Sequence, residues 1–105
     1  MNKHSQLGVL LIKLEQELVN ADLWQVAAID PKALQSSQPF HHDKLSSQQW
    51  LQFIFIARLE QMVKLMMALP ASCDITPYIA ESLKEHKDVN KITNITKQID
   101  ELLSN

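Results

Sequence analysis

One glycine, Gly8, serves the whole of this 105-residue chain. Hairpin turns draw on glycine for their positive φ angles, so a β-rich domain of this size would need several. A chain without them is steered towards helices. Hydrophobic residues make up 46% and charged residues 21%, which suits a globular chain and excludes a disordered one. The length allows one core, so residues 1–105 are expected to form a single domain.

Helical spacing divides the chain further. The first helix is predicted over about 5–20, with the stripe Leu7, Leu10, Leu11, Leu14 and Leu18. Ser5 is the candidate N-cap, and Glu15 and Glu17 fall on or near the wet side. Residues 22–45 hold no sustained period, and Pro31 and Pro39 interrupt them. Trp24, Ile29, Leu34 and Phe40 predict that this stretch is an ordered loop packed on the helices, with one helical turn at Asp30-Pro31-Lys32-Ala33. The second helix is predicted over 47–69, from the capping box Ser46-x-x-Gln49 to the stop at Pro70. A third, over 77–86, starts at Thr76 as N-cap with Pro77 at its first position, and buries Ile79 and Leu83. Asp88 caps a fourth over 89–103, whose stripe is Val89, Ile92, Ile95, Ile99 and Leu102. The expected fold is all-α, a four-helix bundle with a long irregular crossover between helices 1 and 2.

The second helix carries the one anomaly. Its stripe reads Leu51, Phe55, Arg58, Met62, Leu65 and Leu69, so the chain's only arginine falls in the middle of an apolar face. A charge there must be paired, reach water or meet a partner. Two readings follow. Arg58 staples the irregular crossover to the helix through Asp43, Glu81 or the carbonyls near Gln38-Pro39-Phe40. Alternatively it lines a cleft, where it binds a small anion or pairs with an acid on another protein. Further apolar residues lie all round this helix (Trp50, Phe53 and Ala57; Ile56, Val63 and Met67), as expected of a central helix or one covered by another chain. Met62 and Met66 fall on the stripe and read as core filler.

Other chemistry is hard to find. The net charge is −2 and the lysines are scattered among acids, so the chain alone is not expected to bind nucleic acid. The lone Cys73 excludes an intramolecular disulfide and fits a reducing compartment. No signal-peptide architecture opens the chain, and the charges within Trp50–Leu69 make it a poor membrane span. A cytoplasmic protein without membrane association is expected. His41-His42-Asp43 invites a metal reading, but neighbours on an extended chain point in opposite directions. Cys73 lacks any local nucleophile signature, and the carboxylate pairs Glu15 with Glu17 and Asp100 with Glu101 read as solvated. Phosphate loops, nucleophile elbows and metalloprotease motifs are absent. The expectation is no catalytic residue, no metal, no cofactor and no enzyme.

One combination of residues does carry a resemblance. Ser37-Gln38-Pro39-Phe40, then Asp43, Trp50-Leu51-Gln52, Arg58, Leu69-Pro70 and Pro77-Tyr78 resemble the YqcC-like family of small bacterial proteins over nearly the whole chain. The chain departs from that pattern at Gln49 for a glutamate, Phe53 for a tryptophan and Ala57 for a proline before the arginine. Losing that proline should make the second helix more regular at Arg58. The resemblance implies an all-α bundle without recognised enzymatic activity, and genes that commonly lie beside a tRNA pseudouridine synthase of the C type. An accessory module for that synthase is therefore expected, docking through Gln38, Pro39, Phe40, Asp43, Trp50, Arg58, Pro77 and Tyr78. The alternative is a bundle that binds a small anionic ligand through Arg58. A homodimer through the extra apolar face of the second helix is compatible with either.

Overall fold

All four predicted helices form, but with different ends. A computed structural model describes residues 2–105, and no strand occurs among the described residues. The helices are α1 (Lys3–Asn20), α2, α3 (Thr76–Ser82) and α4 (Val89–Ser104). α2 is one rod in three parts: an α-helical turn Ser47–Trp50, a π-helical turn Leu51–Ile56 and an α-helical segment Ala57–Lys64. This is the expected all-α bundle with its irregular crossover between the first two helices. No helix among the described residues is long and apolar enough to cross a membrane.

α1 begins earlier than expected because Asn2, not Ser5, caps it. The Asn2 side chain accepts the Ser5 backbone N–H at 2.8 Å. Its face of Leu7, Leu11, Leu14 and Leu18 is fully buried. α4 runs antiparallel along it, and Lys3 Nζ donates to the Asn105 carbonyl at 2.6 Å. α4 buries Ile92, Ile95, Ile99 and Leu103, and also Thr93 and Thr96, which its apolar stripe did not reveal. Both hydroxyls donate to carbonyls of their own helix, at 3.0 Å to Val89 and 3.1 Å to Thr93, so burial leaves neither orphaned. Asp88 stands at the N-cap of α4, but its side chain makes no capping bond. Its carboxylate lies 3.8 Å from Lys91 Nζ instead.

α2 is central over its first half, where Leu51, Ile54, Phe55 and Ile56 are all buried. It stops at Lys64, short of the predicted Leu69, because the chain turns left-handed at Met66, with φ 54°. Met66 N–H bonds the Val63 carbonyl at 3.3 Å and Met67 N–H bonds the Met62 carbonyl at 2.9 Å, the paired bonds of a Schellman turn. α1 ends the same way, through Asp22 at φ 61°. Both turns favour glycine, yet Gly8 lies within α1, where an added Cβ would meet Val63 Cγ1 at an ordinary 3.6 Å. With α2 ended early, Leu65, Met66 and Met67 are exposed. Met66 is therefore not core filler.

The crossover is ordered by side chains from α2. Buried Gln52 accepts the Gln25 N–H at 2.8 Å and donates to the Gln25 carbonyl at 2.7 Å, pairing with the backbone as a neighbouring strand would. Gln49 completes the predicted capping box with Ser46 and also donates to the Gln25 side chain at 3.0 Å. Trp24, Ile29 and Phe40 pack on the core, whereas Leu34 is exposed. The predicted helical turn is a 3₁₀ turn, Pro31–Gln35, capped by Asp30.

Candidate functional site

Three elements meet in an aromatic cluster. In the crossover, Gln38 N–H donates to Ser36 Oγ at 3.0 Å, and the chain then turns through Pro39 into Phe40 at φ 56° and His41 at φ 53°. A bulky side chain in left-handed backbone costs roughly 1–3 kcal/mol. The Phe40 ring is compensated by its neighbours. It stacks on Tyr78 of α3 with centroids 4.2 Å apart and planes 14° apart, and meets Trp50 of α2 edge-on at 4.9 Å. Trp50 in turn lies 5.3 Å from Phe55. Such pairs contribute about 0.5–1.5 kcal/mol each beyond area burial, enough to offset the strained turn. Partial burial raises the Tyr78 phenol above its ordinary value.

Beside the cluster runs a groove of about 370 Å³. Trp50, Ile54, Phe55, Arg58, Leu59 and Met62 of α2 form one part of its lining, and Pro70 with Ser72–Ile75 forms another, with Phe40 and Leu103 completing it. Arg58 is exposed there and its side chain makes no hydrogen bond or ion pair among the described residues. Its expected counter-ions are engaged elsewhere. Asp43 accepts a hydrogen bond from the Ser36 hydroxyl, which holds its carboxyl below the usual range, and Glu81 pairs with Lys84 at 2.9 Å. The staple reading of Arg58 is thereby overturned, and Gln52, Gln49 and the Phe40–Trp50 contact are what tie the crossover to α2.

The π-helical turn explains the error. Each helical residue advances by roughly 100°, so an extra residue in one turn rotates everything after it by about that angle. The buried face that holds Leu51 and Phe55 continues at Leu59, and Arg58 is turned outwards. Arg58 itself lies in regular α-helix, and the irregularity stands immediately before Ala57.

The far side of the connector is fully bonded. The Asp100 carboxylate of α4 accepts the N–H groups of Ile75 and Thr76, each at 3.0 Å, the Thr76 hydroxyl at 2.6 Å and the Cys73 thiol at 3.1 Å. It caps α3 from another helix, a role expected of Thr76, which is instead the first helical residue. Asp100 is thus not a solvated partner of Glu101. Burial first, and then the bond to Asp100, push the Cys73 thiol up to about 12. The thiol stays protonated at neutral pH and is no nucleophile there.

Phe40, Trp50 and Tyr78 therefore converge, and Arg58 shares the groove with Phe40 and Trp50. Gln38, Pro39 and Asp43 are exposed and shape the turn that presents Phe40. Pro77 lies in a separate depression with Lys97 and Glu101. His41 donates to the Leu34 carbonyl at 3.2 Å and His42 is exposed. No group of three or more His, Cys, Asp or Glu suited to a metal occurs among the described residues. Gln52 and Asp100 were missed in the sequence. A glutamine inside the apolar run Trp50–Ile56 was the available signal for the first; nothing in the local pattern marked the second.

Comparison with known proteins gives this geometry a family. The DUF446 family model, described as tRNA pseudouridine synthase C, matches residues 6–102. An uncharacterised protein of Haemophilus influenzae is 32% identical over 95 residues, 90% of each chain. A tRNA pseudouridine synthase C of Pectobacterium carotovorum is 31% identical over 72 residues, 69% of this chain but only 19% of that protein. Protein YqcC of Escherichia coli is 28% identical over 83 residues, 79% of this chain and 76% of that one. The solution NMR structure of E. coli YqcC matches the whole chain with a TM-score of 0.87 at 25% identity, over 91% of its own length. The chain belongs to the YqcC-like DUF446 family.

Proposed function

We propose that this protein is a non-catalytic interaction module that assists a tRNA pseudouridine synthase of the C type. The observation that carries the proposal is the Pectobacterium match. A stretch similar to 69% of this chain makes up 19% of a protein bearing that synthase's name, so about four fifths of that protein lies outside it. A domain joined to an enzyme in one chain is a candidate to work beside it as a separate chain. The synthase supplies the catalytic groups and most of the charge that binds RNA; this chain, at net charge −2, supplies a docking face. Phe40 and Tyr78, half-buried and backed by the buried Trp50, give that face rigid aromatic area, and Arg58 gives it a cation unpaired among the described residues.

Tagged protein is expected to retain the synthase during purification from cells, and a deletion strain to under-modify the synthase's target uridine. No retained synthase, with normal modification in the deletion strain, sinks the proposal. The groove with unpaired Arg58 also favours a second reading, a binder of a small anion. A thermal shift with anionic metabolites, and none with synthase, would select it.

A further inference from the structure

The groove holds two charges that do not answer each other. Arg58 on α2 and Asp74 on the connector both line it and both are exposed, Asp74 also bordering the depression that holds Pro77 and Lys97. No ion pair or side-chain hydrogen bond joins either to anything among the described residues. The rest of the lining is almost wholly apolar. At about 370 Å³ the space lies at the lower end for a small-molecule pocket, and suits one or two anchoring side chains.

We infer that the groove receives a segment of a partner protein in which an apolar side chain sits next to a carboxylate. The apolar group fills the space beside Trp50 and Leu59, the carboxylate pairs with the Arg58 guanidinium, and a basic side chain or N–H group of the same segment faces Asp74. The opposite charges set the direction in which the segment lies. Arginine suits this task because its planar fork can hold a carboxylate through two bonds. A nucleic-acid occupant fits worse, since Asp74 repels phosphates and the chain's charge is −2. This inference rests on the docking role proposed above and specifies what the partner presents.

The test uses the full chain, isotope-labelled for NMR, and three capped peptides that differ at one position. Each carries a leucine and a lysine, and the variable position beside the leucine is Glu, Gln or Lys. The Glu peptide should shift the Trp50 indole and Arg58 Nε–H signals and bind about three- to tenfold more tightly than the Gln peptide. Arg58→Glu, an exposed change, should invert the order so that the Lys peptide binds best. Equal affinities for the three peptides, no shift in the groove, or hexanoate binding as tightly as the Glu peptide would each overturn the inference. Purified synthase titrated into wild type and Arg58→Glu separates the two proposals. If synthase fails to bind while the peptide order holds, the docking role falls and the groove chemistry stands. Synthase that binds both proteins equally, with the peptides unordered, leaves the docking role and removes this inference.

Discussion

The connector between α2 and α3 has two sides, and they are built in opposite ways. On one, Asp100 collects four donors and leaves Cys73, Ile75 and Thr76 no freedom. On the other, Arg58 faces an apolar groove that Asp74 also borders, and neither side chain is paired among the described residues. Both sides draw on the same few residues. A carboxylate with every acceptor site in use holds a fold together, whereas exposed charges beside an aromatic cluster contribute little to folding and remain available. The contrast separates what the fold needs from what it presents.

The largest effect should come from the bonded side. Asp100→Ala removes the cap of α3 and strands two backbone N–H groups, at a cost of about 2–4 kcal/mol in urea unfolding. A loss as small as that of a surface change such as Lys91→Ala would erase the contrast. Gln52→Leu should cost about 1–3 kcal/mol, because the Gln25 N–H and carbonyl lose their partner. Its signature is local: hydrogen exchange should accelerate at Gln25 and its neighbours before the helices open. Two glycine exchanges should stabilise. Gly8→Ala adds a methyl in ordinary contact with Val63 and lowers the cost of helix in α1, and Met66→Gly relieves a left-handed turn; each should add about 0.5–1 kcal/mol to the unfolding free energy.

A smaller effect concerns pH. The Ser36 hydroxyl depresses the Asp43 carboxyl, so this bond's contribution is complete above the unfolded carboxyl value and is lost as pH falls through the lower folded one. Ser36→Ala should return Asp43 to the ordinary range in an NMR titration below about pH 5. The group is fully exposed, so stability should barely change.

The helical faces were legible because each is a repeated signal. Four leucines of α1 and the isoleucines of α4 agree on one spacing, and burial follows them. Single side chains that act across the fold were not legible. Asp100 caps a helix 24 residues away in sequence, and no local pattern records that distance. Arg58 shows a subtler failure, since its position on the stripe assumed an unbroken α-helical period through Leu51–Ile56. The end of α2 was misplaced for a related reason. Pro70 was a visible stop, while a left-handed methionine is a stop that composition disguises. Phe40, Trp50 and Tyr78 stood in the sequence as motif residues, but only the fold stacks them together.

The central claim is that Arg58 does not hold the fold and so stays available to the partner proposed above. Equilibrium urea unfolding of Arg58→Ala tests it most directly. Its stability should fall within about 0.5 kcal/mol of wild type, as expected for an exposed side chain without partners. A loss of about 2 kcal/mol or more, comparable to that of Asp100→Ala, would make the guanidinium a structural staple and contradict the account.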